Sequence, residues 1–350
     1  MNLFRCVRAE DRSIAVMAVA GALLLTVSAA CSNPPPPPPA APPAPPVKTD
    51  AERAAWYQNC WKLYNEKNWD AFGKCYADNA TSDQPDLARL SGRVAITEND
   101  KAFATAMPDR RGEVQLVLAS GTHLASLAMW GGTHDGPFPP GPDGKSIPAT
   151  HKKVGLLLGH VADTDAAGTM VVREAVYFDN PTMMAQLGLM KMPARPATLP
   201  TSTTTTVVLA KNDETEKRNT DAFRATAEAF GKGDSKAFAA MLADDYVLID
   251  VTQPKDLNKK QALAGMAEYK KGFPDAVLTI ATLWAAGDYV VAEGAFTGTN
   301  TGDLPSMKIK KTGKKVNVKF FEIIQFENGK AKKDWTIFNG ADFASQLGLK

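Results

Sequence analysis

Two short stretches decide the fold: "YADNA" at Tyr76–Ala80 and "LADDY" at Leu242–Tyr246, which stand 166 residues apart. The same shift carries Tyr57 onto Phe223, Tyr64 onto Phe230 and Phe72 onto Phe238. It also carries "MPD" (Met107–Asp109) onto "FPD" (Phe273–Asp275), and "WGGTHDG" (Trp130–Gly136) onto "FTGTNTG" (Phe296–Gly302). A register held without a gap over about eighty residues marks an internal duplication. Farther on the shift falls to 160, where "QLGL" occurs at Gln186–Leu189 and again at Gln346–Leu349. That change implies one loop-length difference, in the last strands.

Both copies read alike. An amphipathic helix (Trp56, Cys60 and Leu63; Phe223, Ala227 and Phe230) breaks at Lys67-Asn68 or at Gly231-Lys232-Gly233. A short second helix follows, then a first strand in "ADNATSD" or "ADDYVLID". A third helix covers "VAITENDKAFATAM" or "KKQALAGMAEYKKG", and strands such as "LASLAMWGG", "YVVAEGAFTG" and "VNVKFFEIIQFENG" come next. Helices first and a curled antiparallel sheet afterwards define an α+β class. A short last helix ends in QLGL. There Asp179 and Asn339 suit the N-cap, Gly188 and Gly348 suit a left-handed stop, and Leu189 and Leu349 suit the apolar residue that folds back on the helix. The Lys-rich "KIKKTGKKVNVK" reads as an exposed hairpin that protects a sheet edge.

The ends and the composition set the compartment. Arg5, Arg8 and Arg12 precede "IAVMAVAGALLLTVSAA", a secretory-type segment that ends in small residues before Cys31. "TVSAAC" resembles a bacterial lipobox in which Cys31 is lipidated, although Ser28 stands where Leu is usual. "PPPPPPAAPPAPP" at 34–46 cannot pack a core; as polyproline II it spans roughly 40 Å and holds a module off a membrane surface. The expected order is therefore 1–31 signal, 32–47 Pro-rich linker, 48–191 first domain, 192–211 Pro/Thr-rich linker and 212–350 second domain. The expected location is the bacterial envelope, by a lipid anchor, facing the periplasm or the cell surface. A formal charge of +2 argues against a nucleic-acid partner. With Cys6 and Cys31 set aside, Cys60 and Cys75 lie symmetrically about the Lys67-Asn68 turn, where an αα-hairpin would bring them face to face. An exported chain permits a disulfide there, with two buried thiols as the alternative.

The order "NEKNWDAFGKCYADNAT", "SGRVAI", "MPD", "GTHDG" and "FD…QLGL" resembles the SnoaL-like polyketide cyclase group of the nuclear transport factor 2-like superfamily. The resemblance covers both copies. It implies two tandem cones, each a curved, mostly antiparallel sheet wrapped by about three helices around a largely apolar pocket. It also implies pairing through the sheets, either as a pseudo-dimer within one chain or as a homodimer. Fold alone does not give function, since the superfamily holds cyclases, isomerases, hydrolases and plain binding modules.

Such cyclases carry an acid/base Asp just after a Trp of the last strand, and a His on the neighbouring strand. Here Trp335 is followed by Thr336, and the first copy has Ala175 and Val176, which weighs against cyclase chemistry. Glu174 and Asp334 lie two residues earlier and share that strand face. His160 and Glu322 fall near the family's His position, so His160 with Glu174, and Glu322 with Asp334, are the candidate pairs. Asp250 matches the first-strand base of steroid-isomerase-like relatives. Trp130, His134, Phe296 and Trp335 are candidate pocket residues. No pair of histidines has metal-ligand spacing, and no cofactor is expected. The leading reading is a tandem-domain protein that binds a small apolar or amphipathic molecule. The alternative is an acid/base enzyme of cyclase, isomerase or hydrolase type acting on a polyketide- or steroid-like molecule. A protein-interaction module with filled pockets is a third.

Overall fold

A computed structural model describes residues 46–140 and 144–349. The signal-like segment, Cys31 and nearly all of the Pro-rich stretch lie outside the described residues. The first copy runs α1 (Asp50–Asn65), α2 (Trp69–Gly73), β1 (Tyr76–Asp83), β2 (Leu90–Ser91), α3 (Arg93–Ala106), β3 (Arg111–Ser120), β4 (His123–Thr133), β5 (Lys153–Thr164), β6 (Val171–Tyr177) and α4 (Asn180–Gln186). After β7 (Thr206–Leu209), the second copy runs α5 (Glu214–Lys232), α6 (Ser235–Met241), β8 (Leu242–Asp250), β9 (Leu257–Asn258), α7 (Lys259–Gly272), β10 (Val277–Ala286), β11 (Tyr289–Thr299), β12 (Lys315–Glu327), β13 (Lys330–Phe338) and α8 (Gly340–Gln346). The sheet orders are β2-β1-β6-β5-β4-β3-β7 and β10-β11-β12-β13-β8-β9. Only the β1–β6, β8–β13 and β3–β7 pairs are parallel. No helix among the described residues is long and apolar enough to cross a membrane.

Local chemistry explains the helix ends. Thr49 and Glu52 form a reciprocal capping box at α1, and Asn258 and Gln261 repeat it at α7. Cys60 and Cys75 are joined, with their Cα atoms 6.2 Å apart, and tie α1 to the residue just before β1. In the QLGL stretches Gly188 and Gly348 are left-handed, and the Leu189 and Leu349 amides reach back to the carbonyls of Met184 and Ala344. The apolar half of that expectation differs: Leu189 and Leu349 are exposed, and it is Leu187 and Leu347 that are buried. The glutamine carries the remaining chemistry. Gln186 both accepts from and donates to the Gly155 backbone, and Gln346 does the same at Asn317, which clamps each last helix to a central strand.

Strand registers revise three expectations. Ser126 pairs with His160 and Ala292 with Glu322, so the shift is already 162 on the fourth long strand of each copy; it becomes 160 only after the final hairpin. There are two length changes, one in the Gly/Pro-rich loop after β4 and one between β5 and β6. The Lys-rich stretch is no edge hairpin. Residues 308–314 form a loop held by Asn300, and β12 that follows is central, with Val316 and Val318 inward and Lys315, Asn317 and Lys319 outward. The 192–211 segment is likewise more than a spacer, because "TVVL" adds β7 in parallel to the open edge of β3. Its β-branched residues suit a strand, and β3 supplies unpaired backbone groups.

The two sheets pack back to back. One cluster joins Leu116, Leu118, Leu127 and Val161 of the first copy to Trp284, Val291, Phe321, Ile323 and Ile337 of the second. Phe321 stacks on Tyr177 and lies against Gly159, where an added Cβ would come 2.2 Å from its ring. Arg173 bridges Asp163 at 3.0 Å and buried Glu293 at 2.7 Å, and the Tyr177 hydroxyl donates to Glu293. Replacing Cys60 and Cys75 together by serine should lower the stability of the first domain by about 3 kcal/mol, the value for a loop of this length. Chemical denaturation of the oxidised chain and the double variant checks this.

Candidate functional site

In each domain an open cavity lies between the concave sheet face and its helices. In the first domain the cavity measures about 90 Å³ and is crowded by Tyr57, Trp61, Tyr64, Phe72, Tyr76 and Trp130. In the second it measures about 470 Å³. The register explains the difference: Trp61 is replaced by Ala227 and Tyr76 by Leu242, so two large side chains shrink in the second copy.

In the first cavity β5 and β6 bring His160 and Glu174 together, Nε2 to Oε1. The other imidazole nitrogen, Nδ1, lies 2.6 Å from the Tyr57 hydroxyl, which is 2.8 Å from Ser126 Oγ. Tyr76 donates to the same Glu174 oxygen at 2.9 Å. A buried chain thus runs Ser126–Tyr57–His160–Glu174–Tyr76. Burial alone would raise the Glu174 carboxyl, but attraction to His160 and hydrogen bonds from His160, Ser82 and Tyr76 hold it below its ordinary value. Asp100, on the same wall, is pushed up to about 7 by burial and by the charge of Glu174, with Arg110 opposing.

The second cavity solves the same problem differently. Glu322 faces Thr336 across the ladder exactly as His160 faces Val176, so an acid occupies the histidine position. Asp334 sits diagonal to it, hydrogen-bonded to Glu322, and accepts from the Tyr246 hydroxyl at 2.7 Å and from Thr336 Oγ1 at 3.2 Å. Burial, and then the charge of Asp334, raise Glu322 well above its usual value. Asp334 itself is pushed up to about 6, chiefly by burial. Asp250 pairs with Thr336 in the ladder, lines the same cavity and is raised by burial, while its Oδ1 accepts from the Thr252 amide and hydroxyl. Two carboxyls this close share a proton, and Glu322 is the donor toward Asp334.

The remaining sequence candidates divide. Trp130 and Phe296 line their cavities. His134 does not: it is fully buried in the turn after β4, stacked on Phe138, with Nδ1 accepting from the Thr150 amide. Trp335 does not either. It follows Asp334 on the strand, so it points to the opposite face, among the residues between the domains and stacked on Tyr289. The aligned Asp109 and Asp275 of "PD" are structural, each accepting from the amide and hydroxyl of Thr133 or Thr299. Sequence reading missed Tyr57, Tyr76, Ser126, Asp100 and Tyr246. Its available signal was substitution between the copies, where Tyr57 and Ser126 stand against Phe223 and Ala292 on otherwise apolar faces. Among the described residues no three His, Cys, Asp or Glu side chains gather as a metal cluster.

The family described as SnoaL-like polyketide cyclase matches residues 51–187 and again 220–347, and the chain belongs to this family, twice over. Similar solved structures include a putative SnoaL-like polyketide cyclase from Jannaschia sp. CCS1, at 15% identity and TM-score 0.37, covering 40% of this chain and 98% of that one. AclR, a putative hydroxylase from Streptomyces galilaeus, is 21% identical with TM-score 0.35, over 38% of this chain and 97% of its own. An epoxide hydrolase of M. tuberculosis described as LEH-like is 15% identical with TM-score 0.32, over 38% and 90%. No curated protein matches the chain.

The two carboxyl arrangements predict opposite responses to substitution. Glu322 and Asp334 bind protons more readily when folded, so their ionisation destabilises the fold as pH rises from about 4 through 6. Glu322→Gln should therefore stabilise the second domain at pH 7.5 by about 1–3 kcal/mol, with the gain vanishing near pH 4; thermal unfolding at both pH values reads this. Glu174 has the reverse sign: its pairing stabilises above its unfolded value of 4.5 and is lost as pH falls below it. His160→Leu should cost about 3–5 kcal/mol at pH 7, because it leaves Glu174 buried without its partner. Denaturant midpoints of His160→Leu and of His160→Leu with Glu174→Leu check it, the double variant losing less than the single one.

Proposed function

We propose that the second domain is an acid/base site for a small, mostly apolar molecule, and that the first, with its much smaller cavity, is its partner domain. The observation that carries this is the proton-sharing Glu322–Asp334 pair on the wall of a cavity of about 470 Å³, with Asp250 on the same wall. That volume lies in the range of small-molecule sites. A carboxyl raised to about 6 is matched to proton transfer near neutral pH, where an ionised Asp334 can take a proton beside a carbonyl and protonated Glu322 can return one. Asp334 replaces the family's Asp from two residues earlier on the same strand face. Cleavage before Cys31 and its lipidation would place the site at a membrane surface of the envelope, and the two domains would work as one intramolecular pseudo-dimer. Binding without turnover is the second reading, favoured by Thr336 at the position where the cyclases carry their Asp.

The reading is tested by α-proton exchange of an apolar ketone such as 2-tetralone in D₂O, followed by NMR. The chain should accelerate exchange over buffer, with a rate that rises through pH 6, and Asp334→Asn should lower the enhancement by roughly 10²–10⁴-fold. No enhancement across a panel of apolar ketones would leave binding as the function.

A further inference from the structure

The cavity wall of the second domain carries four carboxyl side chains, Asp250, Glu268, Glu322 and Asp334, and no lysine, arginine or histidine among the described residues. The first domain supplies its buried carboxylate with an internal partner, His160 on Glu174. At the same register position the second domain puts Glu322, which removes that basic partner and adds an acid. The nearby guanidinium of Arg195 does not replace it: it donates to the backbone carbonyl of Asp250 and pairs with Asp256. The groups facing the acidic pair are Tyr246 and Asp250 from β8, Thr336 from β13, and, across the cavity, Glu268 and Tyr269 from α7. The rest of the wall is aromatic and aliphatic, including Phe223, Phe230, Phe296, Phe320 and Phe338. Buried carboxylates need a partner charge, and aromatic faces attract cations.

We propose that this cavity takes a lipophilic amine, its ammonium group seated at Glu322, Asp334 and Asp250 and its hydrocarbon body against the phenylalanines. Among the described residues the cavity wall supplies no cation, and the ligand brings it. The proposal rests on the second-domain cavity being the working site, but not on turnover there. Seating an ammonium displaces the proton shared by Glu322 and Asp334, so affinity falls as pH drops through about 6, the Asp334 range. A neutral isostere has no such dependence, and a carboxylate is repelled.

The test uses 2-naphthylmethylamine, 2-naphthylmethanol and 2-naphthoic acid, titrated calorimetrically into the full chain at pH 8 and pH 5. At pH 8 the amine should bind about tenfold or more tighter than the alcohol, as charge-assisted hydrogen bonds exceed neutral ones, and the acid should bind weakest. The margin should narrow at pH 5. Glu322→Gln with Asp334→Asn should keep alcohol binding, which reports an intact cavity, and lose the amine margin. An alcohol as tight as the amine, an acid tighter than either, a margin that survives in the double variant, or no binding of any of the three would overturn the proposal. Amine preference without ketone exchange would remove only the acid/base reading, and ketone exchange without amine preference would remove only this one.

Discussion

The whole molecule depends on the period-two alternation of two central strands, β5 and β12. Leu156, Leu158 and His160 face the first cavity, while Leu157 and Val161 face the other domain. In β12, Val318, Phe320, Glu322 and Ile324 face the second cavity, and Phe321 and Ile323 face the first domain. Both faces of each sheet are therefore buried, one against a cavity with its helices and one against the partner sheet. That is why "VGLLLGHVA" and "VKFFEIIQF" read as largely apolar runs although both neighbours of each strand are antiparallel. A one-residue slip of either strand would turn the acid/base groups into the domain interface and the interface residues into the cavity.

Within that frame a polar side chain on the cavity face stands out, and the two copies treat it in opposite ways. The first copy pairs a buried acid with a base and surrounds both with hydroxyls, so the charge is satisfied internally and the cavity is small. The second copy places two acids together with a tyrosine and a threonine and leaves room beside them. A pair of opposite character anchors a fold; two neighbouring acids, though hydrogen-bonded, hold a proton above its ordinary affinity. Each copy also recruits its tyrosine separately. Tyr76 starts β1, whereas Tyr246 stands four residues along β8, where the first copy has Ala80. The hydroxyl-to-carboxyl contact therefore recurs in both copies without deriving from one aligned residue.

Much of this was legible in the chain. The duplication, the order of elements, the cysteine pair, both helix stops and the four residues of the two pairs follow from register and strand parity. What was not legible has physical causes. Trp335 was assigned to the pocket together with Asp334, although neighbours on a strand point to opposite faces, and parity alone would have sent it to the interface. His134 is a candidate pocket residue by sequence, yet it belongs to a turn, and its aligned partner Asn300 accepts from the Thr312 amide in the equivalent turn. The structural part was shared by both copies and the chemical part was not, so substitution between the copies was the better guide to chemistry. β7 was hidden because its pairing is long-range: nothing local tells a linker threonine run from an edge strand until β3 offers its unpaired edge.

The second domain keeps the larger cavity and rests the back of its sheet on the first domain. Water can solvate the end lined by Asp250, Glu322 and Asp334, but it gains nothing against the phenylalanines. The second copy also lacks the covalent tie, since Thr226 and Met241 stand where Cys60 and Cys75 are joined. Behind the cavity this sheet packs on the first domain, with Phe321 stacked on Tyr177 and Arg173 against buried Glu293. The disulfide-tied copy, its cavity crowded by aromatic rings, gives that sheet a firm backing. Tandem duplication in one chain keeps the two at high effective concentration, which lets one copy specialise in rigidity while the other keeps an open, acidic interior.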